Sequence, residues 1–213
     1  MPGAQFQILL GGKDSPLEAV LTDTIAGSLS GAFTAPTRRS LIVLCVAAQS
    51  SSSGSVSAAT IGGHAAAIIR ADGSSTYSSI AAAMVSPGDP NTFSITAPAP
   101  FSSRSAVFFY RVDGASRINV SQSSAQSGLT TPISSGVFNP PRNSTIIGIA
   151  KGQGSSSPPI SFSLLTEDNE YDASGQSYAV AHKNYASAAS SQQETVSLPG
   201  SSVSIASFAV FEP

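Results

Sequence analysis

The sequence predicts an all-β fold: a single antiparallel β-sandwich, jelly-roll or immunoglobulin-like, of about ten strands in two similar halves with an N-terminal arm. Three observations lead there. One motif recurs four times, in residues 32–42, 94–107, 137–146 and 196–203: an extended stretch meets proline (Pro36, Pro98, Pro140, Pro199), crosses a polar turn and restarts at serine as an apolar strand. Proline has no N–H for a sheet ladder, so it closes the first strand of each copy. Between the copies, apolar runs of strand length alternate with Gly, Pro and Ser turns. Finally, 213 residues with 41% hydrophobic content suit one large β domain with a real core.

Residues 1–31 are the least regular and are read as an arm, leaving 32–213 as the sandwich domain. Residues 6–10 have the pattern of a short strand ended by Gly11-Gly12. Ser15-Pro16-Leu17-Glu18 has helix-opening spacing, with Leu17, Val20, Leu21 and Ile25 on one face. The β-branched Val20, Thr22, Thr24 and Ile25 oppose a helix, so helix and extended arm both stay open.

From residue 32 onward the elements are strands. Residues 41–48 are a nearly unbroken apolar run, the mark of a central strand covered on both sides. Residues 56–61 and 65–70 flank Gly62-Gly63 as a hairpin. Residues 77–85, 92–96 and 106–112 follow as strands, and 114–135 read as a polar connection with weak strand character at 117–120. The second half replays the first: 145–150 answers 41–48, 160–165 the hairpin, 178–182 answers 77–82, and 195–198 and 203–211 answer 92–96 and 106–112. Half-units of five strands would not each close a core, whereas two facing sheets would bury both apolar faces.

Charge narrows the function classes. Net charge is −2, and 10% of residues are charged where about a quarter is usual. That leaves no basic field for nucleic acid or an anionic membrane surface. Serine, threonine and alanine take the place of charge, and such side chains lose little entropy on burial against a partner. Cys45 is the only cysteine and lies in the 41–48 run, which fits a core thiol and folding in a reducing cytoplasm. The N-terminal residues lack the pattern of a secretory signal.

No catalytic constellation and no cofactor motif emerge, so the expectation is a non-enzyme. Asp168, Glu170 and Asp172 alternate in the one acidic cluster and are weak calcium candidates. The EF-hand pattern fails, because Ala173 stands at its glycine and Ala179 at its bidentate glutamate. Residues 175–179 loosely resemble a nucleophile elbow around Ser177 with His182 nearby, yet the strand-to-helix context is missing. His64 sits beside a glycine turn. Residues 11–15 lack the spaced first glycine of a phosphate loop. Asn119 and Asn143 head glycosylation triplets that a chain made in the cytoplasm would not use. Phe108, Phe109, Tyr110, Phe208 and Phe211 fall on two matching strands, where they either fill the core or offer a sugar-stacking platform. Arg38, Arg39, Arg104 and Arg142 lie in three of the four proline turns and are the interface candidates, suited to an acidic neighbour.

Residues 40–48, then 55–63 ending in Thr60-Ile61-Gly62-Gly63, then 65–69, resemble a pattern in small β-sandwich structural proteins of tailed bacteriophages. The likeness covers about residues 33–112 and, more faintly, 145–211. It implies a virion component, such as a capsid decoration, head accessory or fibre protein, which binds other virion subunits and forms homo-oligomers. The location it implies is the virion, after synthesis in the host cytoplasm. A carbohydrate- or receptor-binding module, with a glycan as partner, is the alternative.

Overall fold

The computed structural model describes residues 16–50, 52–73, 76–98, 100–128, 132–153, 159–173, 175–198 and 204–213. Among them are seventeen strands and no helix. The first half contains β1 (Glu18–Ala26), β2 (Ser30–Ala32), β3 (Ser40–Ser50), β4 (Ala58–Ile61), β5 (His64–Ala65), β6 (Ala67–Gly73), β7 (Thr76–Val85), β8 (Thr92–Thr96) and β9 (Pro100–Asp113). The second contains β10 (Val120–Gly128), β11 (Ile133–Phe138), β12 (Ser144–Gln153), β13 (Ser161–Phe162), β14 (Thr166–Ala173), β15 (Gln176–Tyr185), β16 (Gln192–Ser197) and β17 (Ser204–Phe211).

These strands pair antiparallel in four sheets. Two inner sheets run β1-β9-β3-β7-β6 and β10-β17-β12-β15-β14, and two outer sheets run β2-β8-β4-β5 and β11-β16-β13. With β10 matched to β1, β12 to β3, β15 to β7 and β17 to β9, strand order is the same in both halves. Register agrees as well. Ser40 faces Val85 and Leu41 faces Val112 in the first half; Ser144 faces Tyr185 and Thr145 faces Phe211 in the second.

The sheets stack as outer, inner, inner, outer, with an apolar layer in each gap. Alternation on β3 explains how one strand serves two layers. Leu44 and Val46 face Ile61, Phe93 and Phe109 under the first outer sheet, whereas Val43 and Cys45 turn to the other side. There they meet Ile147, Ile149, Tyr178 and Phe211 of the second half in a central core. Ile146, Ala150 and Phe208 pack with Phe138 and Val196 under the second outer sheet. A strand covered on both faces cannot alternate with polar residues, hence the unbroken apolar run at 41–48.

Aromatic anchors recur in the two flanking cores. Phe33 stacks on Phe109 at 5.2 Å with Phe93 edge-on at 5.0 Å, and Phe138 meets Phe208 edge-on at 6.2 Å. Gly148 makes room for the last pair: a Cβ there would lie 2.6 Å from the Phe208 ring.

The fold is all-β, antiparallel and sandwich-like, but several expectations need correction. Seventeen strands replace about ten, and each half does close a core, because thin outer sheets supply the lid that five strands alone would lack. The arm expected over 1–31 overlaps the sheets: from Glu18 the chain is the edge strand of an inner sheet and at Ser30 it joins an outer one. Of the two conformations left open for 17–25 the extended one is found, consistent with its β-branched residues. The stretch 114–135 contains all of β10 and the start of β11 rather than a plain connection. The strand-like residues 6–10 and the 11–15 turn lie outside the described residues.

The proline segments have a common role. β2 to β3, β8 to β9, β11 to β12 and β16 to β17 are the four places where the chain passes from an outer sheet to an inner one after such a turn. Pro199 itself is outside the described residues.

Candidate functional site

Several polar groups with unusual surroundings lie where the two inner sheets face each other. At one end of this seam the Leu17 N–H donates to the Asn143 carbonyl at 3.0 Å, and Ala19 N–H to Asn184 Oδ1 at 3.3 Å. The starts of β3 and β12, with Arg38, Arg39 and Arg142 just before them, therefore share one end. Arg104 lies at the other end, where β9 begins opposite Ser50. The four arginines do not form one patch.

Three of them already have partners. Arg38 pairs with Asp113 at 3.0 Å, and Arg111 reaches the same carboxylate at 3.2 Å. Arg39 donates to the Ser116 carbonyl at 3.4 Å, and Arg104 to Gln49 Oε1 at 3.1 Å. Arg142 makes no ion pair among the described residues.

The acidic trio does not converge. A register shift between Glu167 and Asn169 turns Asp168 into the seam, where its Oδ2 accepts from Tyr110 Oη at 2.6 Å and pairs with His182 Nδ1 at 2.7 Å. Tyr110 belongs to the first half and His182 to the second, so the carboxylate links them. Burial, reinforced by the Asp168 charge, holds the Tyr110 phenol well above its ordinary pKa, and it stays a donor. Nearby, Asn169 donates to Thr24 Oγ1 at 2.8 Å. Glu170 accepts from Ile160 N–H at 2.9 Å, and Asp172 is exposed. Among the described residues no group of three or more His, Cys, Asp or Glu is placed to hold a metal ion.

The other sequence candidates fall apart similarly. Gly175, at φ 73°, turns the β14–β15 hairpin rather than a strand into a helix. Ser177 is buried, and on the β15 alternation it points to the opposite sheet face from His182, so no nucleophile–base pair forms. His64 pairs with Asp89 at 2.9 Å on the surface. Phe108, Phe109, Tyr110, Phe208 and Phe211 are all within the cores and present no sugar-stacking face.

Two buried charges were not singled out in the sequence. Glu194, 1% exposed, accepts from Ser163, Leu164 and Leu165 N–H groups, holding the chain between β13 and β14. It occupies the inward position next to Val196, as Phe93 does next to Ile95 in the first half. Lys151, 0% exposed, faces the central seam, and its Nζ donates to Gln176 Oε1 at 2.6 Å. Burial, and then the Arg104 charge, push the Lys151 pKa down to about 8. The available signal was one cation closing the apolar run 145–150.

No protein-family model, curated protein or solved structure matches the chain.

Proposed function

We propose that the protein is a non-enzymatic structural subunit of a bacteriophage particle, built from two jelly rolls in one chain. The strand pairing supports this reading: β1 and β3 flank β9, β3 pairs β7, and β2 and β4 flank β8, with the matching order in the second half. β5 pairs with β4 and, two residues on, β6 pairs with β7, so this stretch divides itself between the two sheets.

The observation that carries the reading is the four-layer stack. Both inner sheets are covered on both faces, so contacts with other molecules fall to the outer sheets, the sheet edges and the end loops. The outer strands β2 (Ser30–Ala32) and β5 (His64–Ala65) are wholly exposed, β4 and β8 alternate exposed and buried residues, and Val137 on β11 is 57% exposed. Small neutral side chains there suit permanent packing against neighbouring subunits, and edge strands offer backbone groups for strand addition. The serine-rich, charge-poor composition supports the same reading.

Protein mass spectrometry of purified phage particles encoded by the same genome tests it. The chain is expected at a fixed ratio to the major shell or tail subunit and should survive washing in high salt. Recovery only in the soluble lysate, with none in the particles, would overturn the proposal.

A further inference from the structure

The two halves share strand order and register, so a residue needed by the fold alone should have a similar counterpart. Lys151 has none. Pairing places Ala47 opposite Ser78 and Gln49 opposite Thr76 in the first half; the matching pairs in the second are Lys151 with Tyr178 and Gln153 with Gln176. The first half fills this region with neutral side chains, Ala47, Ser78 and Thr76 being small and Gln49 matching Gln153. The second inserts an ammonium, a phenol and a carboxamide.

These groups are poorly satisfied. Lys151 Nζ has three hydrogens to donate, and among the described residues its one hydrogen bond is to Gln176 Oε1. The Gln176 carboxamide is fixed in that orientation, since its Nε2 donates to the Gly175 carbonyl at 2.9 Å. Tyr178 is 0% exposed and its Oη is buried without a hydrogen-bond partner. Lys151 Nζ stands 6.0 Å from the centre of that ring. The Arg104 charge acts on both, lowering the Lys151 pKa and opposing the rise that burial causes at Tyr178. No ion pair between Lys151 and a carboxylate occurs among the described residues.

An ammonium buried with a neutral amide as its acceptor is costly unless a negative charge joins it. Water supplies an acceptor but no charge. We infer that Lys151, Tyr178 and Arg104 form an anion site inside the seam between the halves, and that it takes one small inorganic oxyanion such as phosphate or sulfate. Lys151 and Arg104 supply the charge, Tyr178 Oη donates a third hydrogen bond, and half-buried Arg104 and Gln49 mark the side open to solvent. The enclosure of Lys151 excludes polymeric anions. This site stands whether or not the protein belongs to a particle.

Equilibrium dialysis of the full chain against labelled inorganic phosphate at low ionic strength, with unlabelled sulfate as competitor, tests the inference. One phosphate per chain is expected, displaced by sulfate. K151M should abolish binding, while Y178F and R104Q should each weaken it about tenfold, the loss of one charge-assisted hydrogen bond. R142Q, at the opposite end, should bind like the wild type. If K151M does not fold, Y178F and R104Q decide the matter. Absence of saturable binding by the wild type, or equal binding by wild type, Y178F and R104Q, overturns the inference.

Discussion

The hydroxyls of Ser78 and Ser207 meet at 2.5 Å inside the central core, one from each half. Register relates Ser78 to Tyr178 and Ser207 to Phe108, because Ala47 matches Lys151 and Cys45 matches Ile149. Two small hydroxyls on one flank of the seam thus correspond to two aromatic rings on the other. The contact pattern is reciprocal in the same sense, with β7 over β17 and β9 against β15. An approximate twofold relates the halves, and side-chain sizes have diverged about it.

Each serine satisfies the other where water does not reach. S78A or S207A alone leaves a buried hydroxyl unpaired and should cost about 1–3 kcal/mol. The double variant should cost less than the sum of the two. A double-mutant cycle from urea unfolding measures the coupling, and strict additivity would show that the pair does not act as a unit.

Cys45 sits in the central core, where burial raises its thiol well above the ordinary pKa. It should therefore react with a thiol reagent only when the halves separate or the chain unfolds. Labelling followed against urea concentration should track global unfolding. Rapid labelling in native buffer would mean that the seam opens on its own.

Glu194 accepts the N–H groups of three consecutive residues. E194A leaves the Leu164 and Leu165 N–H groups without this acceptor, while Ser163 N–H keeps the Thr195 carbonyl at 3.0 Å; it should lose about 3 kcal/mol, whereas E194Q, which keeps one acceptor oxygen, should lose less. F93A removes the aromatic at the corresponding first-half position and should cost about 3–5 kcal/mol by creating a cavity. Chemical unfolding of the three variants ranks them.

Lys151 has a folded-state pKa of about 8, below its unfolded value of about 10.4. Between these values the unfolded chain binds more protons, so this group's contribution makes stability rise with pH from about 8 to roughly 10. Below that window both states are protonated and the burial cost, on the order of 3 kcal/mol, is fully present. In buffer free of phosphate and sulfate, unfolding midpoints of the wild type should rise from about pH 7 to about pH 9.5 relative to those of K151M. Parallel profiles would show that the buried ammonium carries no such cost.

Much of the inner architecture was legible in the sequence. Residues 41–48, 77–85, 106–112, 145–150 and 203–211 announce themselves because a strand covered on both faces must be apolar almost throughout. The hairpin at Gly62-Gly63 was legible through turn chemistry, with φ of 64° and 76° at the two glycines. The edge strands were not. Residues 120–128 and 166–173 are largely polar because one side of each faces solvent or a seam, and their strand character comes from pairing with β17 and β15. The buried charges were equally hidden. Lys151 and Glu194 depend on Gln176 and on the N–H groups of 163–165, partners that adjoin them only once the strands are paired. The Tyr110–Asp168–His182 contact joins residues 58 and 14 positions apart through a bulge that no periodicity marks.

The covering of both inner sheets has a consequence for synthesis of the chain. β9, which completes the first inner sheet by pairing with β1 and β3, ends at Asp113, so the first half can fold while the second is still being translated. During that interval the face bearing Leu41, Val43, Cys45, Phe108 and Tyr110 has no cover. A neighbouring nascent chain on the same messenger would present an identical face, shaped to receive a twofold mate. The rate of translation through residues 114–211 therefore sets how long an unfinished molecule is exposed to pairing with the wrong copy.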